Sequence, residues 1–217
     1  MPLWSYILIA LAAYLIGSIP TGFLIAKAKG IDIRSVGSGN IGATNAMRAL
    51  GKPAGIAVLL LDVLKGYAAC HFLPPLIFTW LAPHFYGLFN QFHNEQVELL
   101  VAGICAVLGH NFTCWLKFKG GKGIATTAGV YLALAPGALG IALAVFVVAV
   151  LVTRYASVGS ISGAVALIAA VWILPPHSVL LGIVTTALGA LAIYRHKANI
   201  RRLIAGTENR LKTKDKK

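Results

Sequence analysis

Long apolar runs without a single ionised side chain recur through this 217-residue chain. Between Lys122 and Arg154, and again between Arg154 and Arg195, no Asp, Glu, Lys or Arg occurs. A bilayer core is crossed by about 20 apolar residues in helical form, because a helix satisfies its backbone polar groups within one segment. Charged residues make up 12 % of the sequence and hydrophobic ones 58 %, whereas a soluble domain carries about 25 % charge. The pattern excludes an ordinary soluble enzyme and predicts an all-α, polytopic integral membrane bundle. No linker or low-complexity segment divides the chain, so one transmembrane domain over 1–217 is expected, with 205–217 as a basic cytoplasmic tail. The first run lacks a positive n-region, and Lys27 and Lys29 follow it, so it reads as a retained helix rather than a signal peptide.

Seven spans are predicted, two of them short. The first is Leu3–Lys27. The second runs from just after Pro53 to about Phe72, with an irregular continuation past Pro74 and Pro75 to Leu81. The third is Val97–Leu116. Gly123–Ala135 is short and is ended by Pro136. Gly137–Thr153 is followed by Ile161–Leu174, closed by Pro175 and Pro176, and then by Val179–Tyr194. A five-span reading, with the short pieces re-entrant, is the alternative. The cysteines Cys70, Cys105 and Cys114 lie in apolar stretches without C-x-x-C spacing or partnering histidines, and read as packing thiols.

The 19 Lys and Arg residues are gathered in few places. Five are Lys27, Lys29, Arg34, Arg48 and Lys52; three are Lys117, Lys119 and Lys122; Arg154 stands alone; nine lie from Arg195 onwards. Lys65 alone falls inside a span. With seven spans all the cationic loops share one side, which the positive-inside rule makes cytoplasmic, leaving the N-terminus outside. The tail lysines Lys212, Lys214, Lys216 and Lys217 are what orientation and contact with anionic lipid require.

The other loops carry more than orientation needs. In the first, glycines at 37, 39 and 42 let backbone N–H groups converge, with Ser38, Asn40, Thr44 and Asn45 as short donors between Arg34 and Arg48. Ala43 to Leu50 is predicted to be a short helix stopped by Gly51 and Pro53, and an anion at its start would meet open N–H groups and the positive dipole end. The plain alternative is a flexible connector. The second loop sets Gly120, Gly121 and Gly123 around Lys122, then starts a helix at Thr126 and Thr127. It is not a nucleotide-binding P-loop, for no glycine stands five positions before Gly121, but it has the character of a phosphate cradle. Arg154, Ser157 and Ser160 follow in the third. In the fourth, a helix continuing the last span would put Arg195, Asn199 and Arg202 on one face, with His196 beside them. Glu208 reads as structural, tethering the tail to an arginine or capping a loop. Asp62 and Lys65, at i and i+3 in an apolar run, are expected to pair structurally, with a role in the site left open.

Absences narrow the chemistry. Asp32, Glu208 and Asp215 are the only acids on the cytoplasmic side, so no metal site is expected, and a magnesium-dependent phosphotransferase lacks its ligands. The acyltransferase pattern H-x-x-x-x-D is missing: Trp115 stands five after His110 and Arg201 five after His196. His93 precedes Glu98 by five, but on the external side.

Taken in order, Gly17-Ser-Ile-Pro-Thr-Gly22, Ser38-Gly-Asn-Ile-Gly-Ala-Thr-Asn45, Phe118-Lys-Gly-Gly-Lys-Gly-Ile-Ala-Thr126, Arg154 with its serines, and the run from Arg195-His196 through Asn199 to Gly206-Thr-Glu208 resemble the bacterial acyl-phosphate:glycerol-3-phosphate acyltransferases of the PlsY type. The resemblance covers nearly the whole chain; the 83–96 segment and the polar tail depart from it. It implies transfer of a fatty acyl group from acyl phosphate to the 1-hydroxyl of sn-glycerol 3-phosphate in the bacterial inner membrane, giving lysophosphatidic acid and phosphate. The partners implied are those two substrates and membrane lipid; no cofactor, nucleic acid or obligate protein partner is implied. Lys122 with its glycines would hold a phosphate. Ser38, Asn40, Arg48, Ser160 and Asn199 would supply hydrogen bonds and charge. His196 or a substrate phosphate oxygen would be the base. A phosphate or phosphate-ester transporter is the competing class, and it requires polar residues along a path through the spans, where only Asp62 and Lys65 occur.

Overall fold

The computed structural model describes residues 3–81, 94–175 and 178–211. His93, Pro176, Asp215 and the tail lysines at 212, 214, 216 and 217 lie outside them. All regular elements among the described residues are helical, in two compact units, Met1–Leu134 and Ala135–Lys217. The first contains α1 (Leu3–Ser18), α2 (Thr21–Lys27), α3 (Ala43–Leu50), α4 (Lys52–His71), α5 (Leu73–Leu81), α6 (Glu95–Asn111) and α7 (Ile124–Leu134). The second contains α8 (Pro136–Thr153), α9 (Ala156–Ile173), α10 (Val179–Arg195) and α11 (Lys197–Ile204).

Five stretches are long and apolar enough to cross a membrane: Trp4–Lys27, Lys52–Trp80, Glu95–Leu116, Pro136–Thr153 and Ala156–Ile173. The pair α10 and α11 makes a sixth if its 53° bend counts as one span. The 11 residues of α7 rise only about 16 Å at 1.5 Å each, half of a hydrocarbon core. Length therefore supports five or six crossings, not seven full ones. Large apolar side chains face outward, among them Leu11 at 58 %, Leu60 at 61 % and Val152 at 77 % exposure, while Asp62 and Lys65 are buried. Polar inside and apolar outside is the reverse of a soluble protein, and matches a lipid solvent.

Four boundaries differ from expectation, the simplest being that α9 starts at Ala156 instead of Ile161, so that Ser157 and Ser160 lie on its first turns and not in a loop. The first span is broken between α1 and α2, where Pro20 has no N–H to give and crowds the helical conformation of Ile19. The carbonyls freed by the break find partners on other helices. Thr113 Oγ1 donates to the Ser18 carbonyl at 2.6 Å and Lys65 Nζ to that of Ile19 at 2.8 Å. Pro136 opens α8 rather than merely ending the helix before it, since a first-turn position needs no N–H. The last span does not run straight into the Arg195–Arg202 segment, because the chain turns at His196. Arg195, Asn199 and Arg202 consequently do not share one continuous helical face.

In unit 1 the helices meet backbone to backbone. A Cβ at Gly17 would run into the Ala106 carbonyl oxygen, and one at Gly66 into that of Thr126. Small residues thus bring α1 onto α6 and α4 onto α7, the close approach that packs helices where no hydrophobic effect separates them from solvent. At the loop end of the same unit, Ala26, Ile33, Ile41, Ala46, Val58 and Leu116 form one buried cluster. Ile33 and Ile41 pin both ends of the first loop, and Leu116 brings the second loop to the same core. In unit 2, α9 packs against both α8 and α10.

Candidate functional site

The first loop is built around one amide. Asn45, 2 % exposed, accepts from the Ser38 N–H at 2.9 Å and turns its Nδ2 to the carbonyls of Ile33, Val36 and Asn40 at 3.1, 3.0 and 2.8 Å. Gly37 and Gly39 take left-handed φ values of 61° and 66°, which glycine adopts without a Cβ penalty. Asn40 Oδ1 accepts from the Gly42 N–H at 2.8 Å, closing an Asx turn that delivers the chain to α3. Gly42 caps α3 without a side-chain hydrogen bond, so Ser38, Asn40 and Thr44 stand around a helix start suited to an anion. Asn45 was expected to be a ligand group; its amide is committed to shaping the loop. Arg48 is exposed on α3. Arg34 is held by Asp32 in a two-pronged pair at 2.9 and 2.8 Å. Hydrogen bonds from the Arg34 side chain and backbone hold the exposed Asp32 carboxyl down at about 2.

The glycine loop differs from its sequence reading in one respect. The Gly120 N–H donates to the Asn111 carbonyl at 3.1 Å and the Gly121 N–H to that of His110 at 3.0 Å. Both donors are spent on the last carbonyls of α6, which have no partner within their own helix. These two glycines therefore serve close approach, and the residue that follows them, half-buried just before α7, is Lys122. Gly123 has φ 81°, and a Cβ there would meet Asn111 Oδ1 at 2.7 Å. The Asn111 amide and the Thr126 hydroxyl, both buried, make no hydrogen bond among the described residues. His110 and Asn111 were missed as parts of this region. Their adjacency to the loop at the end of an apolar run was the available signal.

Unit 2 is organised by a carboxylate. Glu208 Oε1 accepts from Asn199 Nδ2 at 2.7 Å and Ser157 Oγ at 2.9 Å, and Oε2 from Arg202 Nε at 2.7 Å. Burial pushes the Glu208 carboxyl up, but the hydrogen bonds from Asn199, Arg202 and Ser157 outweigh it and hold it below the ordinary glutamate range. Ser157, expected at the substrate, gives its hydroxyl to this node. Ser160 donates to the Ala156 carbonyl at 2.9 Å. Arg154 is an exposed left-handed C-cap at φ 62° whose carbonyl accepts from the Leu211 N–H at 2.8 Å. With Arg210 Nε on the Tyr155 hydroxyl at 3.0 Å, the described part of the tail is fastened to the α8–α9 turn. Arg195 is half-buried at the end of α10.

His196 is buried at the bend, with Nδ1 2.7 Å from the Ala192 carbonyl. A carbonyl only accepts, so Nδ1 carries the proton and the neutral ring has its lone pair on Nε2. That tautomer is the one a general base at Nε2 needs. No group of three or more His, Cys, Asp or Glu able to hold a metal occurs among the described residues. The three cysteines are free thiols.

Comparison with known proteins bears on the chain as a whole. Residues 7–206 match the family model described as glycerol-3-phosphate acyltransferase. A glycerol-3-phosphate acyltransferase of Trichlorobacter lovleyi is 48 % identical over 92 % of this chain and 94 % of its own. One from Geobacter sulfurreducens is 44 % identical over 95 % and 97 %. The crystal structure of PlsY, an integral membrane glycerol 3-phosphate acyltransferase, in its glycerol 3-phosphate form, is similar at TM-score 0.82 and 38 % identity, over 96 % of each chain. Its lysophosphatidic acid form is similar at TM-score 0.79 and 37 % identity, again over 96 % of each.

Proposed function

We propose, given that this chain belongs to the glycerol-3-phosphate acyltransferase family, that it draws the acyl group from acyl phosphate. The chain is a multi-pass membrane protein and a glycerol-3-phosphate acyltransferase of the PlsY type. The finer reading is transfer to the 1-hydroxyl of sn-glycerol 3-phosphate, giving lysophosphatidic acid and inorganic phosphate. The observation that supports it most is the likeness, over nearly the full length, to a relative solved both with glycerol 3-phosphate and with lysophosphatidic acid.

Acyl phosphate is a mixed anhydride, so its phosphate is already a leaving group and no covalent enzyme intermediate is required. The glycerol hydroxyl adds to the acyl carbon, its proton passes to a base, and the acyl–oxygen bond to phosphate breaks. What the protein supplies is orientation and neutralisation of phosphate and oxyanion charge. Lys122 holds one phosphate, that of glycerol 3-phosphate. On the first loop Ser38, Asn40, Thr44 and Arg48 offer donors and charge to phosphate; in unit 2 Arg154, Arg195 and the second amide N–H of Asn199 do so, while Ser160 offers its oxygen, its proton being given to the Ala156 carbonyl. Nε2 of His196 is the protein's candidate base; an acyl-phosphate oxygen is the alternative acceptor. On the reading of seven spans, two of them short, the positive-inside rule puts the cationic loops in the cytoplasm of a bacterial inner membrane, with the N-terminus outside and 1–217 acting as one domain.

The test is to incubate the purified protein in lipid with acyl phosphate and glycerol 3-phosphate and to follow phosphate release and lysophosphatidic acid together. Both are expected to rise in equal amounts. No release, with uptake of phosphate into proteoliposomes, would mark a transporter instead. Near-normal kcat in His196→Gln would exclude His196 as an essential base and leave the substrate phosphate in that role.

A further inference from the structure

A buried polar chain runs from the middle of the unit 1 bundle to the glycine loop. Asp62 on α4 is 2 % exposed, and its Oδ1 accepts from Lys65 Nζ at 2.8 Å and from Thr21 Oγ1 at 2.7 Å. The same oxygen lies 3.6 Å from Nδ1 of His110, itself 5 % exposed in the last turn of α6. Lys65 also holds the Ile19 carbonyl. The other side of the imidazole faces the loop. A Cβ on Gly121 would run into His110 Nε2, and the three nearest atoms it would meet all belong to that ring. The backbone of His110 takes part as well, for its carbonyl accepts the Gly121 N–H at 3.0 Å. A Cβ on Gly120 would run into that same carbonyl oxygen.

Burying an ion pair in a bundle costs several kcal/mol per charge before attraction is counted, so a pair alone is weak evidence of stabilisation. Here the pair has a geometric consequence. Asp62 is fixed from two sides by Lys65 and Thr21, and across 3.6 Å, beyond hydrogen-bond length, its charge faces Nδ1 of His110. Gly121 seats against the ring and Gly120 against the backbone of His110 and Asn111, so the ring limits how closely Gly121 approaches, and Lys122 is the next residue.

We propose that His110, oriented by the Asp62–Lys65 pair, is a positioning residue that sets the height of the glycine loop and so the place at which Lys122 meets a substrate phosphate. The inference rests on the reading of Lys122 as a phosphate-holding group. Neither His110 nor Asp62 touches substrate in it.

Because Gly121 is not in the left-handed region, the ring of His110 is what excludes a side chain there, and a double-mutant cycle isolates the contact. Steady-state kinetics with both substrates are measured for Gly121→Ala, His110→Ala, the double variant, Asp62→Asn and Lys122→Ala. Each of the first two is expected to raise KM for one phosphate substrate roughly tenfold, with kcat changed much less, a shift below the roughly hundredfold loss that a full 1 Å misplacement can cause. The double variant is expected to be no worse than the poorer single one, because removing the ring makes room for the new methyl group. Asp62→Asn, which keeps the shape of the carboxylate, is expected to raise the same KM by a smaller factor. Lys122→Ala is the control. If it leaves both KM values unchanged, the phosphate reading falls. If it raises one of them while the changes at 110 and 121 multiply independently, or while the 62 and 110 variants lower only the yield of folded protein at unchanged KM, the positioning role falls and the phosphate reading stands.

Discussion

Two nodes organise the polar ends of this protein, and they are built from opposite materials. The first loop of unit 1 is gathered by a neutral amide, Asn45, which both donates and accepts. The Ser157–Asn199–Arg202 cluster of unit 2 is gathered by a carboxylate, Glu208, which only accepts. An amide adds no charge, so the first loop keeps whatever positive potential its surroundings have. The carboxylate binds its donors more strongly, but neutralises an arginine that would otherwise attract an anion.

That contrast can be broken from either side. The largest effect is expected at Asn45. Alanine there strands one N–H and three carbonyls at about 1–3 kcal/mol for each group left buried, so Asn45→Ala should lose about 3 kcal/mol or more. Asn45→Asp should do no better despite its matching shape, because it presents oxygen to three carbonyls. Proteolysis or hydrogen exchange over 31–45 reads both. The isosteric exchange in the other direction, Glu208→Gln, should be milder, about 1–2 kcal/mol. One oxygen still serves Asn199 and Ser157, and Arg202, at 32 % side-chain exposure, can turn to water. Thermal unfolding compares the two.

Acid should separate the nodes further. The folded-state pKa of Glu208 is depressed, so its contribution is present above the unfolded glutamate value of about 4.3 and is lost as pH falls through the depressed value. Hydrogen exchange at 195–211 should quicken there, and Glu208→Gln should abolish that dependence, while the Asn45 hydrogen bonds stay unchanged over the same range. The smallest effect is expected for Asp32→Asn. Its pair with Arg34 is solvent-exposed, and such pairs are screened. The melting temperature should not move measurably, although the freed guanidinium should tighten phosphate binding at low salt.

Much of this was legible beforehand. Apolar runs bounded by Pro and Gly gave most of the helices, though not the break at Pro20 or the start of α9 at Ala156, because lipid leaves a chain few alternatives to a helix. The short α3 and its stop at Gly51 were legible for the same local reasons. The partners of each polar group were not. Gly120 and Gly121 looked like phosphate donors, and their N–H groups go to α6; Asn45 and Ser157 looked like ligands, and they tie loops. Sequence shows which residues can donate. It does not show which carbonyl, a hundred positions away, has been left wanting. His110 was weighed only against the H-x-x-x-x-D pattern and set aside, because a lone histidine in an apolar run carries no other pattern; only Asp62, far off in sequence, gives it a place.

The break before α2 has a consequence for how the protein is made. Its Ser18 carbonyl is satisfied by Thr113, 95 residues further along the chain, and its Ile19 carbonyl by Lys65. While the ribosome is still working towards α6, Pro20 already interrupts the helical ladder, and the Thr21 N–H and then Lys65 can serve the Ile19 carbonyl, but the Ser18 carbonyl waits for Thr113. The kink is therefore begun by Pro20 and fastened late in biogenesis, and a nascent chain released before Thr113 should hold that bend less firmly.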